Sequence, residues 1–238
     1  MTEIPIEDRV KLSPPPHTAS INFTQQWILV TPAVYRYEDE VWIDQFLDTG
    51  KLRLSTFAKF SKYKDEIRGD SSEGSGFGYG ETKDSKSVLV YQTEGLNALV
   101  LCCTHRLDKG MRDKFGRNSA FQITNTVGFA REISRQLVGF RHGLEGSCIY
   151  RDRKLISRAL DYDFEKYKLP DGNIDMQGLF DAGNALGGPE LVLLKNKNYQ
   201  QQAEYRLLWE VDTLKADYID VVAPNARQYC RKVEDKEY

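Results

Sequence analysis

Close to the C-terminal end of the chain, Tyr205, Leu207, Trp209 and Val211 occupy every second position. That period marks a strand with one apolar face, and it sends Gln202, Glu204 and Arg206 to the opposite face. The preceding run, Lys195-Asn196-Lys197-Asn198-Tyr199, is polar and reads as the loop feeding this strand. A Gln and a Glu close together at a strand entrance suit a site better than a core. Other strand patterns cluster early and late in the chain, with helical patterns between them. No strand–helix repeat runs through the sequence, which argues against a doubly wound parallel architecture. The expected class is α+β, built on a mostly antiparallel sheet.

Taken in order, residues 1–20 are polar, contain Pro14-Pro15-Pro16 and read as an extended, partly disordered arm. A single domain is expected over 21–238. Strands are expected at Ile28–Val30, Ala33–Tyr37 and Lys51–Thr56, with a short helix Val41–Leu47 stopped by Gly50. In the Lys51–Thr56 strand, Leu52 and Leu54 point inward and Arg53 and Ser55 the other way. A helix over Phe57–Lys64 leads into a stretch with five glycines between Gly69 and Gly80. Glycine loses the most entropy on ordering, so this stretch reads as a loop rather than regular structure.

Two hairpins are expected, Ser87–Gln92 with Ala98–Thr104 and Ser147–Tyr150 with Lys154–Ser157. Phe121–Thr124 and Glu190–Lys195 read as strands, and Asn125 or Thr126 can cap a helix ended by Gly139. Acidic residues dominate 161–190, a segment of helix and loop. Tyr218–Val222 is expected to be the last strand, followed by a helix from Pro224 to Val233.

The net charge of -2 argues against a general polyanion binder. The four cysteines lack zinc-type spacing, and Cys102-Cys103 sit in an apolar run, so reduced thiols in a cytoplasmic setting are expected. No signal-peptide pattern opens the chain and no apolar run approaches a membrane span, so a soluble protein without a membrane partner is expected.

Three stretches carry groups able to meet in one cleft: Tyr35-Arg36, Leu54-Ser55-Thr56-Phe57 and Gln202-Ala203-Glu204. In residue type, order and strand context they resemble the mono-ADP-ribosyltransferase family, in the clade with an Arg, a Ser-Thr motif and a Gln-x-Glu motif. Phe57 departs from the family, which usually has Ser or Thr there. The resemblance implies a split, mostly antiparallel sheet flanked by helices. It also implies cleavage of the nicotinamide–ribose bond of NAD through a ribose cation, as in glycoside cleavage.

Roles follow from that resemblance. Arg36 would grip the pyrophosphate with its planar fork, with Arg68 as a second contact. Glu204 would bond a ribose hydroxyl and stabilise the developing positive charge. Ser55 would orient Glu204, and Thr56 would support the strand at the NAD site. Tyr199 and Gln202 would meet the acceptor, and Gln202 implies an amide, thiol or nucleobase rather than arginine. NAD is then a substrate, and no metal is expected. The implied partners are a macromolecular acceptor (protein, RNA or DNA) and, for a toxin of a bacterial defence or toxin–antitoxin system, an antitoxin protein.

Rival readings start from other residues. Asp65, Glu66, Asp70 and Glu73 offer carboxylates to a hard cation such as Mg²⁺, as in a metal-dependent nuclease or hydrolase. Arg106–Arg117 holds five basic against two acidic residues and Arg131–Arg158 seven against three, which suits a non-enzymatic nucleic-acid-binding module. Each motif also has a plain structural reading. Arg36 is then a sheet-edge arginine and Ser55-Thr56 a helix N-cap. Glu204 and Arg206 become a solvated pair of little energetic weight.

Overall fold

The structure, a computed structural model, describes residues 19–21, 27–29, 32–60, 62, 73–81, 87–93, 95, 97–159, 164–178, 181 and 189–238. Its strands are β1 (Ala19–Ile21), β2 (Trp27–Leu29), β3 (Val34–Glu38), β4 (Lys51–Thr56), β5 (Ser75–Glu81), β6 (Ser87–Thr93) and β7 (Ala98–Thr104). They continue as β8 (Ser119–Ile123), β9 (Phe140–Ser147), β10 (Ile149–Arg151), β11 (Leu155–Ala159), β12 (Leu194–Asn196), β13 (Glu204–Val211), β14 (Tyr218–Val222) and β15 (Cys230–Lys232). The α-helices are α1 (Glu40–Thr49), α2 (Phe57–Phe60), α3 (Lys109–Lys114) and α4 (Thr126–Ser134). Three 3-10 segments matter below: Pro189–Leu193, Lys197–Gln202 and Pro224–Tyr229.

Eight strands form one antiparallel sheet in which β7 is the hub. One edge of β7 pairs with β13 from Ala98 to Thr104, and β13 in turn pairs with β9. Its other edge is divided. Leu99 and Val100 pair with β4, whereas Thr104 pairs with β3. Between those contacts β3 and β4 diverge, so the sheet is split along this edge. On the far sides, β4 pairs with β14, and β3 pairs with β8, which pairs with β15.

One face of this sheet carries the main core. Leu54, Leu99, Leu101, Leu207, Trp209 and Phe121 pack against Ile43 and Phe46 of α1 and Phe129 and Ile133 of α4. Gly50 ends α1 in a left-handed turn, φ 77°, donating to Phe46 O at 2.7 Å. A Cβ there would lie 2.5 Å from the Pro224 backbone, so glycine is needed for contact as well as conformation. Asn125 caps α4 by accepting from Gly128 N at 2.8 Å. On the opposite face, Val100 and Leu208 pack with Phe57, Val192 and Leu193.

The α+β, mostly antiparallel architecture agrees with the sequence reading, but several elements do not. The glycine stretch is not all loop: Ser75–Glu81 is β5, parallel to β11 and antiparallel to β6. A Cβ on Gly76 would sit 3.0 Å from a Leu194 methyl and 3.1 Å from a Leu191 methyl. Glycine is used there so that a strand backbone can press against side chains. Neither expected hairpin forms, because β6 pairs with β5 while β7 pairs with β13, and β10 and β11 pair with β12 and β5. Glu190–Lys195 is a 3-10 turn followed by β12. Tyr218–Val222 is not the last strand, since the Pro224 segment is a 3-10 turn ending at Tyr229 and β15 follows. No helix among the described residues is long and apolar enough to cross a membrane.

Candidate functional site

A cavity of about 400 Å³ opens where β3 and β4 part company. Its walls include Tyr35, Arg36, Glu38, Trp42, Ser55, Lys59, Glu73, Lys195, Gln202 and Glu204. That volume is within the range of small-molecule sites. Strand register assigns Ser55 and Glu204 to one face, through Val100 and Thr104, and Arg36 to the other, through Phe121. The cavity passes through the split, so all three line it nonetheless. Arg36 spans the gap itself: its Nη1 donates to Cys102 O at 2.7 Å, on the edge of β7 between its partners.

At the inner end lies a closed ring of four buried charges. Arg206 Nε donates to Glu204 Oε1 at 2.7 Å, and Arg206 Nη2 to Glu73 Oε2 at 2.6 Å. Lys195 Nζ lies 3.3 Å from Glu73 Oε1 and closes the ring on Glu204 Oε2. The four side chains are between 1% and 7% exposed, so this is an interior network. A solvated Glu204–Arg206 pair is thereby ruled out. Burial alone would disfavour charge on Glu204, but Arg206 and Lys195 outweigh it and hold its carboxyl well below the usual range. Burial likewise opposes charge on Lys195, and Glu204 and Glu73 overcome it and raise its pKa.

Local sequence explains how the ring is held. Glu204 and Arg206 share a face of β13 because they are two apart. Ala203, left-handed at φ 43°, turns the chain from the 3-10 segment into that strand. Arg206 has a third anchor, Nη1 to Val192 O at 2.6 Å, and its guanidinium lies 5.4 Å from the Phe57 ring centroid. Phe57 occupies a socket floored by glycine, where a Cβ on Gly74 or Gly95 would come within 2.7 and 2.3 Å of the ring. The departure at position 57 is therefore the brace for Arg206. Gly74 also turns the chain at φ +75° immediately after Glu73, delivering that carboxylate from the start of β5.

The other expected residues are distributed as follows. Ser55 lines the cavity, but its hydroxyl accepts from Lys59 Nζ at 3.5 Å, and the bonds to the Glu204 carboxylate come from Lys195 and Arg206. Thr56 does not line the cavity. Its Oγ1 donates to Asp217 O at 3.1 Å and accepts from Lys59 N at 3.2 Å, so the N-cap reading holds for α2. Gln202 is buried in the cavity wall, and its carbonyl accepts from Thr104 Oγ1 at 2.7 Å. Tyr199 lies outside the lining residues and covers the Lys195 ammonium, 5.0 Å from its ring centroid. Arg68, Asp65, Glu66 and Asp70 fall outside the described residues. Glu73, the fourth of the proposed metal-binding carboxylates, instead has both oxygens engaged by Arg206 and Lys195.

No protein-family model, curated protein or solved structure matches the chain.

Sequence reasoning placed Lys195 only in a polar loop and Arg206 only as a solvated neighbour of Glu204. Lys195 and Lys197 share one Lys-Asn-Lys-Asn run, yet Lys195 is buried and Lys197 exposed. The available signal was the apolar Leu191-Val192-Leu193-Leu194 run that drags Lys195 inward. Two cysteines at the site, Cys102 and Cys103, are free thiols. Burial pushes the Cys103 thiol up to about 12 and raises Cys102 well above its ordinary value, so both stay protonated near neutrality. The Arg106–Arg117 patch is largely spent on internal pairs: Arg106 with Asp108, Arg112 with Asp113 and Asp235, and Arg117 with Glu38 and Asp39.

Proposed function

We propose that the chain is an NAD-dependent ADP-ribosyltransferase whose reaction takes place in the cavity of the split sheet. One observation carries this reading: Arg36, Ser55, Gln202 and Glu204, drawn from three motifs distant in sequence, line the same cavity. A mostly antiparallel sheet whose β3 and β4 diverge over the cavity supports the reading. Arg36, Lys59 and Lys195 supply positive charge for a diphosphate, and Glu204 supplies negative charge for a ribose cation. The acceptor in this reading is a macromolecule (protein, RNA or DNA) presented near Gln202. A toxin role in bacterial defence, with an antitoxin partner, extends the same reading.

The test is nicotinamide release and transfer of labelled ADP-ribose from NAD into a cell extract, with Glu204→Gln in parallel. Activity is expected to fall in the variant by about 10²-fold or more, the scale of losing one preorganised electrostatic group. Activity that survives Glu204→Gln sinks the assignment.

A second reading is favoured by a specific feature. Both Glu204 oxygens are already taken by cations, which suits a brace for a binding site better than a group facing a ribose cation. On that reading the protein binds a nucleotide in the cavity and leaves it intact. Saturable NAD binding with no nicotinamide release would select it.

A further inference from the structure

We propose that Lys195 is an anion-responsive latch on Glu204: a diphosphate-bearing ligand in the cavity takes over the Lys195 ammonium and frees Glu204 Oε2. This deepens the reading of the cavity as the NAD site and rests on it. In the ring each Glu204 oxygen already accepts from a cation, which lowers its pull on a further donor, and release of Lys195 returns Oε2 in full to a ligand hydroxyl.

The two cations are held very differently. Arg206 is fixed by three bonds, to Glu204, Glu73 and Val192 O, and is packed against Phe57. It does not line the cavity. Lys195 does line it, and its two carboxylate contacts leave a third ammonium donor under the Tyr199 ring. Lysine is also a point charge on a flexible four-carbon stem, able to swing where the arginine fork cannot. Its departure leaves Arg206 still bonded to one oxygen of each carboxylate. Lys195 is thus a positioning residue that couples anion binding to the state of Glu204.

Glu204 then competes with the ligand for Lys195, and that competition can be measured without any NAD chemistry. Calorimetric titration with inorganic pyrophosphate and with ADP is the experiment. Glu204→Gln removes the competitor, so pyrophosphate affinity should rise roughly tenfold, the size of one charge-assisted hydrogen bond. The double variant Lys195→Met/Glu204→Gln, which keeps the Glu73–Arg206 pair, should lose that gain and bind at least tenfold more weakly than wild type. An unchanged or lower affinity in Glu204→Gln overturns the proposal. So does a gain that persists in the double variant, since Lys195 would then play no part in it. Should Glu204→Gln not fold, the double variant against wild type decides alone: equal affinity overturns the latch. The transferase reading fails separately, if pyrophosphate behaves as stated but nicotinamide is never released.

Discussion

The cavity wall carries two sets of ion pairs that look alike in the sequence and differ in everything physical. One is the ring of Glu73, Lys195, Glu204 and Arg206. The other is Arg53 with Asp220, joined by two bonds of 2.7 and 3.1 Å across β4 and β14. Glu73 and Lys195 join the ring from outside the large sheet. Each set is nonetheless anchored on charged residues that alternate with apolar ones on strands of that sheet, Glu204 and Arg206 on β13 and Arg53 and Asp220 on β4 and β14. By register they even share a face, since Ser55 pairs with Val100 and Glu204 with Thr104 on β7. What separates them is the layer above. The Pro189–Leu193 segment, Phe57 and the start of β5 close over β13, whereas β14 is an edge strand and Arg53 and Asp220 remain 51% and 30% exposed. In the interior the partner of a charge is obligatory, because an uncompensated ion costs several kcal/mol. At the edge, water can replace it.

Removing one member of each set tests whether burial is what separates them. Arg206→Met leaves two buried carboxylates facing one lysine and should destabilise the fold by about 3–5 kcal/mol, measured by urea unfolding. A loss below about 1 kcal/mol, the scale of an exposed pair, would show that the ring is hydrated in solution. The ring also contributes to the pH response at both ends. Glu204 is depressed below its ordinary 4.5, so its contribution is complete above about that pH and is lost as pH falls through the lower folded value. Lys195 is raised above 10.5, so its contribution is complete below that pH and is lost as pH rises through the higher folded value. The ring's share of the unfolding midpoint, measured across pH, should therefore be flat between these limits, while the buried thiols Cys102 and Cys103, raised above their ordinary 9, lower stability from about pH 9 upward. Glu204→Gln should remove Glu204's share of the acid arm.

How much of this could be read beforehand depends on whether the cause is local. Lys51–Thr56 and Tyr218–Val222 have the bounds that their alternation indicates, and Gly50 stops α1 as its position demands. Pairing is set by the whole sheet, and both expected hairpins failed for that reason: β7, β10 and β11 chose partners distant in sequence, and β6 paired back onto the preceding β5, itself hidden in the glycine stretch. The β5 strand was hidden by its alternate glycines, poor strand formers in isolation, of which Gly76 is pressed against the side chains of Leu191 and Leu194. The convergence of Arg36, Ser55 and Glu204 was visible as motif order. Their geometry was not, since Ser55 meets Lys59, and Glu204 meets a lysine and an arginine. Glu73 was noticed for the wrong reason, as a metal carboxylate among neighbours, when its partners lie 122 and 133 positions away (195 − 73 and 206 − 73).

The smallest effect belongs to the other half of the comparison. Asp220→Asn removes the carboxylate that bridges Arg53 and Lys51 at the outer end of the same cavity. The hydrogen bond from Arg53 comes first in holding the Asp220 pKa down, against a modest burial penalty, but both partners keep access to water. Exposed pairs of this kind contribute about 0.2–1 kcal/mol, and salt screens them. The expected loss is in that range at low ionic strength and smaller at about 1 M salt, whereas the Arg206→Met penalty should barely respond to salt. Arg53 also lies over the Tyr218 ring, 4.0 Å from its centroid, and that contact survives the substitution. If Asp220→Asn instead costs as much as Arg206→Met, burial by the overlying layer is not what distinguishes the two sets.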